Sequence, residues 1–141
     1  FSKVIEWSVW ANLDDHKNSE LLLLKGHLIL ELFMESILNA NDNGSAENKT
    51  FHKKTMLISK LLDDKCHRDN ITQALFDLNR IRNKFAHDWQ FSLELTDVEE
   101  WANTVLSIMP VKKLSKYTYR TILVHAFVAL ANAIVECEKK L

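Results

Sequence analysis

Two glycines and one proline in 141 residues leave this chain few places where the backbone can reverse tightly. A β-rich domain of this size needs turn chemistry about every ten residues. The scarcity predicts an all-α fold: one domain over residues 1–141, built as a compact bundle of five to six helices. A chain of this length buries roughly two-thirds of its unfolded surface, so a core can form without metal or disulfide support.

Hydrophobic periodicity places the helices. Residues 2–13 form a short helix carrying Trp7 and Trp10. Residues 19–40 form a long one, capped by Asn18 or Ser19 and ended by the loop Asn41-Asp42-Asn43-Gly44-Ser45. A third covers 50–62. A fourth starts near Asn70, where Asn70 and Gln73 have the spacing of a capping box. Thr96 and Glu99 repeat that spacing and open a helix through about Ile108, which Pro110 stops. Ser115 caps a last helix running to about Lys140. The helices at 19–40 and 116–140 are apolar around most of their circumference, so each is buried on several sides. Spare apolar surface of that kind is expected to meet a second copy in a homodimer; the alternative is two central core helices.

Eighteen basic against nineteen acidic residues give a net charge of -1. Non-specific nucleic-acid binding normally needs a basic excess, so any such contact must come from a local patch or an assembled oligomer. Cys66 and Cys137 lack metal-site spacing and suit a reducing, cytoplasmic setting. No signal peptide is recognisable, and the run Ile122–Val135, interrupted by His125 and Asn132, is too short to span a bilayer. Because the chain opens on Phe1, a short preceding piece is expected.

The fourth helix holds the feature that points to chemistry. At about 100° per residue, Leu75, Leu78 and Phe85 fall within about 40° of Ile71, and Ile81 lies about 80° away. Arg82 falls about 20° from Ile71, inside the apolar stripe, whereas Arg80 and Lys84 point the other way. A guanidinium on a core-facing stripe must find an anionic partner or line a cleft, because an unpaired buried charge is costly. His87 stands about 140° further round if the helix continues. The two side chains converge if the helix ends near Ala86, or if a second chain supplies the other pair. Periodicity alone is also met by a salt-bridged core arginine and a histidine that caps the helix dipole.

The wording of the stretch, Leu78-Asn79-Arg80-Ile81-Arg82-Asn83-Lys84-Phe85-Ala86-His87, resembles the active-site motif of the HEPN ribonuclease superfamily. That motif is an arginine, a short spacer and a histidine, with a polar residue, often asparagine, directly after the arginine. Arg82, Asn83 and His87 match it, late in an amphipathic helix and before a loop. The same stretch is similar to bacterial MltR-like (mannitol-repressor-like) proteins, the likeness covering roughly residues 68–92. The HEPN resemblance implies a dimeric helical bundle and metal-independent RNA cleavage, with Arg82, His87 and Asn83 catalytic and no cofactor or metal. It further implies an RNA substrate and a setting in toxin–antitoxin biology, with an antitoxin partner, or in phage defence. The MltR likeness implies instead a non-catalytic dimerisation or regulatory module. The chain offers no helix-turn-helix or basic recognition helix to read DNA directly.

Other groupings carry less. His27, Glu31 and Glu35 share one face of the second helix at four-residue steps, either as a polar stripe or as half of a metal site whose Glu-x-x-His partner is missing. His125 reads as a core or interface histidine. Lys53, Lys54 and Lys60, like Lys112, Lys113 and Lys116, read as solvated surface with an RNA-binding rim as the alternative. No P-loop, GxSxG or HExxH pattern is present.

Overall fold

The computed structural model describes residues 19–41, 46–87, 96–109 and 119–138, and all their regular structure is helical. Five α-helices run in the order α1 (Ser19–Ala40), α2 (Phe51–Leu61), α3 (Arg68–His87), α4 (Thr96–Ile108) and α5 (Tyr119–Cys137), with a 3-10 turn at Ala46–Asn48 before α2. The expected helix at 2–13, the loop at 42–45, the Ser115 cap and Pro110 lie outside the described residues.

α5 is the centre of the bundle. Every residue from Leu123 to Ala131 is buried, and the helix packs most extensively on α4, with further contacts to α1 and α3. Its all-round apolar surface is thus covered within a single chain, and His125 is buried with it. α1 differs. Leu22, Leu23, Leu30, Met34 and Leu38 face the core, but Leu21, Leu24, Leu28 and Leu32 remain 48, 37, 51 and 54% exposed. These four leucines form one stripe along the N-terminal half of the helix.

α1 and α5 approach closely at Gly26. A Cβ on Gly26 would lie 2.5 Å from two carbons of the Phe127 ring. That ring is itself held 5.3 Å from Trp101, whose indole Nε1 donates to the Ala74 carbonyl at 2.9 Å. Gly26→Ala should therefore destabilise the fold by roughly 1–3 kcal/mol through overpacking, despite the better helix propensity of alanine. A urea titration with an unchanged midpoint would show that the ring can move aside.

α2 starts as its sequence predicts: the Thr50 hydroxyl accepts from the Lys53 amide at 3.1 Å. α3 does not. It begins at Arg68, two residues before the expected cap, and Gln73 bonds to Asp77 on the same helix instead of reaching back to Asn70. A tight corner sets the earlier start. Asp63 accepts from the Cys66 amide through its carbonyl and from the Lys65 amide through its side chain. His67 then adopts φ 56°, and its carbonyl receives the Ile71 amide at 2.8 Å. α4 begins at Thr96, where the Thr96–Glu99 spacing opens it.

The cysteines correct a second expectation. Cys66 and Cys137 are joined in a disulfide, with Cα atoms 5.4 Å apart across 71 residues of sequence. The Asp63 amide donates to the Cys137 carbonyl, Leu62 bridges Glu138, and the Asn41 side-chain amide donates to the Glu138 carboxylate at 3.1 Å. The end of α5 is therefore clamped to the α2–α3 corner and to the end of α1. A reducing, cytoplasmic setting rested on two free thiols and loses that support. No helix among the described residues is long and apolar enough to cross a membrane.

Candidate active site

Arg82, Asn83 and His87 occupy the last turns of α3. The stripe leading to them is buried as its period predicts, through Ile71, Ala74, Leu75, Leu78 and Ile81. Arg80 and Lys84 are exposed, whereas Arg82 is half-buried. The Arg82 Nη1 donates to the Asn83 side-chain oxygen at 3.3 Å, a long and weak bond. Among the described residues it forms no ion pair. Asn83 and His87 are exposed.

Because α3 stays helical through His87, the break near Ala86 that would let the pair converge does not occur. Five residues along a continuous helix separate the two side chains by about 140° and roughly 7.5 Å of rise. One chain does not bring its own Arg82 and His87 together. A groove of about 290 Å³ between α3 and α4, lined by Gln73, Asp77, Arg80, Glu100 and Trp101 among others, is on a different face of α3 and includes neither residue.

One turn before Arg82, Asn79 belongs to a polar seam shared by α1, α2 and α3. Lys54 on α2 is only 2% exposed and donates to Glu31 at 3.0 Å and to Glu35 at 2.6 Å. It is not the solvated surface lysine its neighbours suggest. Burial opposes its charge, but the hydrogen bonds to Glu35 and Glu31 outweigh burial and raise its pKa. One turn of α1 away, buried His27 meets the Asn79 side-chain oxygen through Nε2 at 3.0 Å, and its ring stacks on Phe51 with centroids 4.0 Å apart. Burial lowers the His27 pKa, and the charges of Arg82 and Lys54 push the same way against the Asn79 bond and Glu31. The surroundings therefore favour the uncharged imidazole.

The His27-Glu31-Glu35 face is therefore a polar stripe organised by an ammonium. Both carboxylates point at Lys54, and among the described residues no cluster of three or more histidine, cysteine or acidic side chains is placed to hold a metal ion.

Lys54 and Asn79 were invisible to motif reasoning, yet α2 carried a signal. Phe51, Thr55, Ile58 and Leu62 define its buried face, and Lys54 falls about 40° outside that arc, at the edge of the buried face. No protein-family model matches the chain, and no match is found among curated proteins or solved structures.

Proposed function

We propose that this chain is a HEPN-type, metal-independent endoribonuclease that works as a homodimer, with Arg82, Asn83 and His87 as its catalytic residues. The observation that carries this proposal is the state of Arg82. Arg82 is a half-buried guanidinium that forms no ion pair with a described residue, and phosphate suits its forked donors. His87, five residues on, is open to solvent.

In the reaction, one imidazole takes the proton from the RNA 2′-hydroxyl as its oxygen attacks the adjacent phosphorus. A second imidazole, as imidazolium, gives a proton to the departing 5′ oxygen. The products are a 2′,3′-cyclic phosphate and a 5′-hydroxyl. Arg82 stabilises the charge on the phosphorane, and Asn83 orients its neighbour. Two copies supply the two histidines. The exposed leucine stripe on α1 supports that assembly, because α1 and α3 meet at His27 and Asn79 and run in opposite directions. The N-terminal half of α1 and the His87 end of α3 therefore lie at the same end of the bundle. The setting this family implies is a toxin or phage-defence component, with an antitoxin as partner in the first case.

A non-catalytic, MltR-like regulatory dimer is the second reading, favoured by the separation of Arg82 from His87 within one chain and by the net charge of -1. Incubation of the purified protein with RNA and excess EDTA separates the two. The nuclease cuts in chelator and leaves cyclic phosphate ends. His87→Ala abolishes cutting while shifting stability by less than about 0.5 kcal/mol, since the side chain is exposed. Cutting that survives this substitution rules out the assigned role.

A further inference from the structure

We propose that His27 on α1, held by Asn79, is a positioning residue of the Arg82 anion site, and that its protonation is coupled to the binding of a phosphate group there. This rests on Arg82 being an anion site, as above, but it adds a second histidine from another helix and a regulatory proton.

The geometry comes first. Asn79 precedes Arg82 by three residues, so the two side chains lie about 60° apart on neighbouring turns of α3. The bond from His27 to Asn79 at 3.0 Å ties that turn to α1, and stacking on Phe51 fixes the imidazole plane against α2. Rotation of α3 about its axis, which decides where Arg82 points, is thus set from two sides. Glu31, one turn along α1, is paired with Lys54 and forms no ion pair with Arg82. Among the described residues, the seam keeps its carboxylates on Lys54 and none of them forms an ion pair with Arg82.

The electrostatics follow. The groups facing His27 are Arg82 and Asn79 from α3, Lys54 and Phe51 from α2, and Glu31 from its own helix. Of the two cations, Lys54 is already neutralised by carboxylates, so Arg82 is the one whose influence a ligand can change. A bound phosphate cancels the positive field of Arg82 at His27 and makes the imidazolium easier to form. By linkage the effect is reciprocal: protonation of His27 tightens phosphate binding by the same factor. Depression of a histidine pKa in the folded state favours the fold above the unfolded pKa and loses that benefit as pH falls below it. Phosphate at Arg82 offsets that loss.

The experiment is an NMR titration of the histidine ring signals of the full chain from pH 4.5 to 8, with and without inorganic phosphate, in the wild type and in Arg82→Gln. We expect Arg82→Gln to raise the His27 pKa. Phosphate should raise it in the wild type and leave it unmoved in Arg82→Gln. His27→Gln, which can still donate to Asn79, should lose the part of the pH dependence of phosphate binding that His27 contributes, leaving the part that comes from the ionisation of phosphate itself. A His27 titration that ignores both phosphate and Arg82→Gln overturns the proposal, as does wild-type pH-linked binding in His27→Gln. A 2′-deoxy oligonucleotide, which binds but lacks the attacking hydroxyl, should act as phosphate does. Coupling without RNA cleavage leaves this inference standing and removes the nuclease; cleavage without coupling does the reverse.

Discussion

Replacing Lys54 with methionine should destabilise the domain by about 3 kcal/mol, at the low end of what removal of one partner from a buried ion pair costs. The methionine fills similar space, so little of the loss comes from packing. The cost arises on α1. Glu31 and Glu35, whose side chains are 25 and 17% exposed, would face each other one turn apart without the ammonium between them. Their partial exposure lets water or protons relieve part of the repulsion, which keeps the figure from rising higher. Urea unfolding, with the slope unchanged, measures it. The triple variant Lys54→Met, Glu31→Gln, Glu35→Gln should recover much of the loss, because it removes the charges together and leaves groups that can hydrogen-bond. A loss below about 1 kcal/mol for the single variant would mean that the carboxylates have other partners.

Reduction of the Cys66–Cys137 bond should cost roughly 4 kcal/mol, the chain-entropy value for a loop of this length. The comparison is between urea midpoints of the oxidised protein, the protein in reductant and Cys66→Ser, the last two agreeing with each other. The clamp around the bond also holds backbone pairing between Asp63 and Cys137, so the reduced protein stays folded but opens more easily at that end. Identical midpoints with and without reductant would show that the thiols are unpaired in solution.

Most of the helical frame was legible because its signals are local. The period of α3 put Ile71, Ala74, Leu75, Leu78 and Ile81 inside, and α1 and α4 fall at Ser19–Ala40 and Thr96–Ile108, as the pattern gave them. The α3 start was misplaced because an Asn70–Gln73 spacing is only a possibility for capping. The corner at Asp63–His67 competed for the same backbone groups and won. The disulfide could not be read from spacing, since 71 residues intervene and only the packing of α5 against the α2–α3 corner brings the sulfurs together. Nor could composition separate α1 from α5. Both are apolar, but one is wrapped by its neighbours and the other keeps four leucines in water.

The site divides the same way. Arg82 stands out because it breaks a period, whereas Lys54 lies at the edge of the α2 apolar arc beside Lys53 and therefore reads as solvated surface. Asn79 is an ordinary polar residue on its helix, and its importance appears only where α1 crosses α3.

The link between positions 66 and 137 has a consequence for a damaged molecule. α3, α4 and all but the last residue of α5 lie within the covalent ring it closes. A single protease nick anywhere in that ring leaves both pieces on one body, with no fragment released until a thiol reductant arrives. An electrophoretic gel without reductant would show the nicked protein as one band, and the same sample after reduction as two.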